Sequence, residues 1–85
     1  MTQQEIEKIG RKVIADTLGL PADQCQDDAD IKDDLGADSL DAVEMLMTLE
    51  TRFDIAIQEG EADHISTVRD YLDLLVRKVQ SDSTK

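Results

Sequence analysis

The chain of 85 residues has one cysteine, one histidine, one proline, no tryptophan and two aromatics, Phe53 and Tyr71. A lone Cys25 permits no internal disulfide, which suits a reducing compartment. One cysteine and one histidine cannot furnish a zinc site. No apolar run is long enough for a signal peptide or a membrane helix, and there is no arginine-rich amphipathic leader. A cytoplasmic location without stable membrane insertion is therefore expected. With so few aromatic wedges the core must be aliphatic and deformable, built from Ile, Leu, Val, Met and Ala. At this length roughly 60% of the unfolded surface can be buried, so one small domain over residues 1–85 is expected, with no repeat and no internal boundary.

Positive charge is also scarce, with nine bases against twenty acids for a net charge of -11. The deficit is concentrated in the middle of the chain. Between Asp23 and Asp63 fourteen acids face only Lys32 and Arg52, whereas the two flanks together are close to neutral. Such a surface repels phosphate backbones and anionic lipid, which argues against nucleic-acid and membrane-surface binding and favours steered encounter with basic protein patches.

Apolar periodicity accounts for most of the rest. Thr2 and Glu5 have capping-box spacing, and Ile6, Ile9, Val13, Ile14 and Leu18 then recur at helical intervals, which predicts a helix over Gln3–Leu18. Gly10 inside it costs about 0.5–1 kcal/mol relative to alanine, so this helix must lean on packing. Gly19 suits the left-handed residue after a helix, and Pro21 prevents continuation. Residues 20–37 lack periodicity, and in so small a domain a loop of this length is expected to be pinned by Leu20, Cys25, Ala29, Ile31 and Leu35.

A second helix is expected over Ser39–Phe53, with Ala42, Met45, Leu46, Leu49 and Phe53 as its core stripe and Leu40, Val43 and Met47 largely outside that stripe. A connector carrying Ile55 and Ile57 follows. Residues 59–65 can form only a short third helix, weakened by Gly60, with Ala62 and Ile65 facing inward. The last helix starts at Ser66 or Thr67 with Asp70 as capping partner. Its apolar face is Val68, Tyr71, Leu72, Leu75, Val76 and Val79, with Arg77 and Lys78 complementing its C-terminal dipole. Residues 81–85 read as a frayed polar tail. The fold class is thus all-α, a four-helix bundle of three longer helices and one short third helix, with a long first loop.

The chemistry centres on Ser39. Asp38 is a good N-cap and Asp41 sits three residues on, where a capping-box acid belongs, which leaves Ser39 at the first helical position. That end of a helix carries partial positive charge and free amides and would accept a phosphate on the serine. Taken alone, a serine opening a helix is an ordinary cap. As an enzyme's nucleophile it lacks a base: the only histidine, His64, lies in or beside the weak third helix, and the Gly36–Leu40 string is not a nucleophile elbow. A calcium loop starting at Asp28 fails at Lys32, at Asp33 where glycine is needed, and at Ser39 where a bidentate glutamate belongs. No catalytic residue and no metal ligand are expected.

The string Leu35-Gly36-Ala37-Asp38-Ser39-Leu40-Asp41, followed by Val43-Glu44, Leu49-Glu50 and Phe53, resembles the modification site of the acyl carrier proteins of dissociated fatty-acid synthesis. The resemblance extends over residues 6–79. It implies a non-catalytic carrier in which Ser39, beside Asp38, holds 4'-phosphopantetheine transferred from coenzyme A by a separate phosphopantetheinyl transferase. It further implies a monomer that presents acyl thioesters to fatty-acid synthesis enzymes and acyltransferases with basic docking patches. Asp41 matches an acidic position flanking its serine, and Glu44 and Glu50 match its partner-facing acids; with the apolar strip of Leu40, Val43 and Met47, which the pattern alone reads equally as extra core, they form the expected partner-docking surface. Ala42, Leu46, Ile57, Ala62, Ile65 and Tyr71 are the expected lining of an acyl pocket. Gln58, Gly60 and Thr51 depart from the common pattern of the family. A carrier for a polyketide or aminoacyl pathway, or an unmodified acidic interaction subunit, are the competing readings.

Overall fold

A computed structural model describes residues 1–62 and 65–82. Three α-helices, α1 (Gln3–Leu18), α2 (Ser39–Phe53) and α3 (Val68–Asp82), are joined by a long first loop and a shorter second connection, each with one 3₁₀ turn, Ala22–Gln24 and Glu59–Ala62. Among the described residues there is no strand, only an isolated antiparallel bridge between Asp30 and Thr67. The short helix expected over residues 59–65 is a 3₁₀ turn where it is described, and Asp63 and His64 lie outside the described residues.

The helix boundaries follow from their caps. Thr2 Oγ1 accepts from the Glu5 amide at 3.2 Å while Glu5 Oε1 accepts from the Thr2 amide at 3.0 Å. Gly19 closes α1 with φ 71°, in the left-handed region where a side chain would be strained. At α3 the Thr67 hydroxyl accepts from the Asp70 amide at 3.2 Å, and Asp70 Oδ2 takes the amides of Ser66 and Thr67. Those bonds hold the Asp70 carboxyl below the usual range, with the Thr67 amide the largest cause. Helix α3 continues through Asp82, so Arg77 and Lys78 precede its last turn and do not serve the expected dipole role. Lys78 instead reaches back to Glu61, Nζ to Oε2 at 3.0 Å. Of the tail expected over residues 81–85, residues 81 and 82 are helical and residues 83–85 lie outside the described residues.

The core has two parts. Ile14, Ala15, Cys25, Ile31, Ala37, Met45, Val68, Tyr71 and Leu72 form one; Ile6, Val13, Leu49, Ile55, Leu75 and Val76 form the other. Leu74, which the periodicity left off the apolar face of α3, is buried too. Gly10 is where α3 comes close to α1: a β-carbon there would stand 2.6 Å from Leu75 Cδ2 and 2.9 Å from Leu72 Cδ2. The helical cost of this glycine is thus offset by dispersion contacts between two helices.

The first loop is pinned from inside and outside. Cys25, Ile31 and Ala37 are core residues, with Ala29 and Leu35 packed against them. Burial pushes the Cys25 thiol up, as expected of a small buried hydrophobe. The loop backbone is tied to the start of α3 by bonds from Ile31 N to Ser66 O, Val68 N to Ala29 O and Arg69 N to Asp27 O, at 2.8–3.0 Å. Arg69 adds side-chain ties to α1 and the loop, donating from Nη1 to Glu7 Oε1 at 3.1 Å and to Asp27 Oδ2 at 3.3 Å. Its Nη2 lies 2.9 Å from Glu7 Oε2 outside hydrogen-bond geometry, so that contact is Coulombic. Arg11 donates to the Cys25 carbonyl and to Asp27 Oδ1. Two cations on different helices therefore hold one loop carboxylate, in a region where the loop has many acids and one base.

Candidate attachment site and adjoining cleft

The loop delivers the chain to α2 through Gly36, whose φ of 79° turns the backbone, and Ala37, which is buried and donates to the Ile31 carbonyl at 3.0 Å. Asp38 then caps α2. Its Oδ1 accepts from the Asp41 amide at 2.9 Å, and Asp41 Oδ2 accepts from the Asp38 amide at 3.3 Å. This reciprocal cap uses the Asp38 and Asp41 donors and leaves the amides of Ser39 and Leu40 with no protein acceptor. Ser39 is exposed, and its hydroxyl makes no hydrogen bond to the described residues. Among the described residues no side chain is placed to take its proton, while two free amides and the positive end of the helix dipole lie beside it. An anion attached to this oxygen fits these surroundings. The negative charges of Asp38 and Asp41 oppose the anion, and their engagement in the cap fixes them in place.

Leu40, Val43 and Met47 are 66%, 52% and 60% exposed, a large apolar surface for a chain this small. Glu44 is exposed beside them, whereas Asp41 is half-buried in the cap. Glu50 is half-buried and differently employed: its Oε2 accepts from the Ile57 amide at 3.0 Å.

Beside this strip lies an open cleft of about 480 Å³ between α2, the second connection and α3. Ala42, Leu46, Ile57, Ala62, Ile65 and Tyr71 all line it, so the six residues named from the sequence are brought together. Val43, Met47 and Glu50 line it as well, which makes one lip of the cleft part of the exposed strip. Their i, i+4, i+7 spacing was the available signal for that shared edge. Lys32 and Gln58 also border the cleft and were missed, because nothing local to either position points to it. Tyr71 joins the cleft to the core; burial first, and Asp30 second, push its hydroxyl pKa up.

A larger groove of about 590 Å³ runs along α1 and the start of the first loop, past Lys8, Arg11, Lys12 and Pro21. It shares no residue with the cleft or with Ser39. Among the described residues no three His, Cys, Asp or Glu side chains are grouped to hold a metal ion, and no helix is long and apolar enough to cross a membrane.

Comparison with known proteins matches residues 11–75 to the family described as a phosphopantetheine attachment site. The acyl carrier protein of Chlorobium phaeobacteroides is 41% identical over 78 residues, which is 92% of this chain and 100% of that protein. The acyl carrier protein of Chlorobium phaeovibrioides matches with the same identity and coverage. Among solved structures, an acyl carrier protein from Enterococcus faecalis, described for its high thermal stability, superposes with a TM-score of 0.75 at 36% identity, covering 92% of this chain and 99% of that one. The family match over most of the chain, the full-length relatives and the shared helical fold agree, and the chain belongs to the phosphopantetheine-binding acyl carrier protein family.

Proposed function

We propose that this protein carries acyl intermediates through a 4'-phosphopantetheine group on Ser39 and hands them to enzymes of fatty-acid synthesis. The observation that carries the reading is an exposed hydroxyl at the first position of α2, beside two unpaired amides and with no base near it among the described residues. When bound, the group supplies a thiol at the end of a flexible arm, on which acyl groups are held as thioesters. Ser39 is the tether, Asp38 and Asp41 hold the first turn of α2 rigid around it, and the free amides of Ser39 and Leu40 offset the phosphate charge.

An acyl chain left in water costs about 0.8 kcal/mol for each methylene relative to burial, so a carrier needs somewhere to put it. The cleft lined by Ala42, Leu46, Ile57, Ala62, Ile65 and Tyr71 is that shelter in this reading. One wall is the second connection, which is short of backbone bonds to the helices and is suited to yielding when the chain enters or leaves. The second connection carries the short third element of the bundle in this reading, which the 3₁₀ turn at Glu59–Ala62 supports.

Leu40, Val43 and Met47, with Asp41, Glu44 and Glu50 around them, form the docking face for the transferase and for synthesis enzymes with basic patches. Two methionines on α2, Met45 inside and Met47 outside, suit a helix that must fit several partners. The chain acts as a single-domain monomer in the cytoplasm, its net charge of -11 opposing self-association.

Incubation with coenzyme A and a phosphopantetheinyl transferase, read by intact mass, tests the reading. The wild-type chain gains one phosphopantetheine and Ser39→Ala gains none. A wild-type chain left unmodified by a transferase that modifies another carrier refutes it.

A further inference from the structure

We infer that Glu50 is the positioning residue that holds the outer wall of the cleft in place against α2; the inference rests on reading that cleft as the acyl shelter. The second connection leaves α2 with a bond from Ile55 N to Glu50 O at 3.1 Å, and its next backbone bond, Glu61 N to Gln58 O at 3.0 Å, is internal to the connection. Among the described residues, two carboxylates carry the side-chain polar ties of residues 56–62 to the helices. Glu50 Oε2 accepts from the Ile57 amide at 3.0 Å, which ties the wall to α2. Glu61 Oε2 accepts from the Gln58 amide at 2.8 Å and pairs with Lys78, which ties the wall to α3.

The first tie lies at the cleft itself. Glu50 and Ile57 both line it, and their bond joins the α2 lip to the wall. It is a bond from a main-chain donor in a partly buried position, where leaving the donor unpaired costs more than at the surface. Glu50 is therefore not simply one more acid turned toward a partner. The same residue accepts through its carbonyl from Ile55 and through its carboxylate from Ile57, and so sets the path of the connection over three residues. Without the carboxylate, the Ile57 amide has no acceptor among the described residues, and the wall keeps only the side-chain polar tie to α3.

The test compares Glu50→Ala, which removes the acceptor, with Glu50→Gln, which keeps an acceptor oxygen at the same reach and removes only the charge. Two readouts are used on the full chain. In the unloaded protein, amide hydrogen exchange at Ile57 is expected to speed up on the order of tenfold in Glu50→Ala and to stay near wild type in Glu50→Gln, with the Ile14 and Leu72 amides unchanged in both. In protein loaded from octanoyl-coenzyme A by a transferase, hydroxylamine cleavage of the thioester is expected to be severalfold faster in Glu50→Ala, with Glu50→Gln restoring the wild-type rate. Equal rates in wild type and Glu50→Ala overturn the inference. So does an equal acceleration in both variants, which would assign the effect to charge and not to the bond. If the wild-type chain takes no octanoyl group, the carrier reading fails, and the exchange at Ile57 in the unloaded chain still decides the role of Glu50.

Discussion

Replacing Gly10 by alanine tests how α1 and α3 are fitted together. In an open helix this change is favourable by about 1 kcal/mol, because glycine is the poorer helix former. Here the new β-carbon would stand 2.6 Å from Leu75 Cδ2 and 2.9 Å from Leu72 Cδ2, whereas ordinary carbon contacts lie at about 3.5–4.0 Å. Both leucine side chains must therefore move by roughly an ångström. They have nowhere easy to go: each is fully buried, one in each part of the core. Overpacking of this kind costs about 1–3 kcal/mol, so the net effect is destabilisation of about 1 kcal/mol after the helical gain is subtracted. For a domain of this size that is a fall of about 4–8 °C in melting temperature, measurable by far-ultraviolet circular dichroism. Gly60→Ala is the control. No heavy atom of the described residues lies within 4 Å of the new β-carbon and the backbone is not left-handed, so its melting temperature should hold or rise. A Gly10→Ala chain that melts at or above wild type would refute the argument that this glycine is kept for close helix approach.

Arg69→Met removes the cation shared by Glu7, Asp27 and Asp73 and should destabilise by about 1–2 kcal/mol in urea titrations, a range discounted for partial exposure. The same variant should be less acid-sensitive. Glu7 is held below the usual carboxylate range chiefly by Arg69, and Asp27 chiefly by Arg11, so the unfolded chain binds more protons in the acid range. Stability from these groups is then present above their ordinary values and lost as pH falls through the depressed ones, and Arg69→Met should flatten that limb near Glu7. Added sodium chloride should raise the melting temperature of the wild-type chain, because screening relieves repulsion among the acids of residues 23–63; a melting temperature indifferent to salt would contradict this.

The features that were legible in the sequence are those set by neighbours. The caps at Thr2, Asp38 and Thr67 lie within four residues of their partners, and the apolar periods of α1, α2 and α3 are local as well. The serine is readable for the same reason, since Asp38, Asp41 and the turn at Gly36 all lie within three residues of it. The six cleft-lining residues could be named together because they are the apolar positions of the weak connection, Ile57, Ala62 and Ile65, and apolar positions on the two helices beside it, Ala42, Leu46 and Tyr71. What escaped was set at long range. Arg69 meets Glu7 across 62 positions, and no local pattern marks that pair. Glu50 matched a docking position in the resemblance, yet its carboxylate is bonded to an amide seven residues ahead, in a segment whose path periodicity does not describe. Gly10 read as a cost because helix propensity is a property of one helix, and its benefit belongs to two. The third helix was expected over residues 59–65, where Gly60 and the short length favour the tighter 3₁₀ geometry found at Glu59–Ala62.

The most direct measurement is to recover the protein from the cell that makes it and to map any covalent group by fragmentation mass spectrometry. The account predicts a single phosphopantetheine, free or acylated, on the peptide containing Asp38-Ser39-Leu40, with the fragment ions assigning it to Ser39. A chain that is unmodified in every growth phase, or one that bears the group on a different serine, would contradict it.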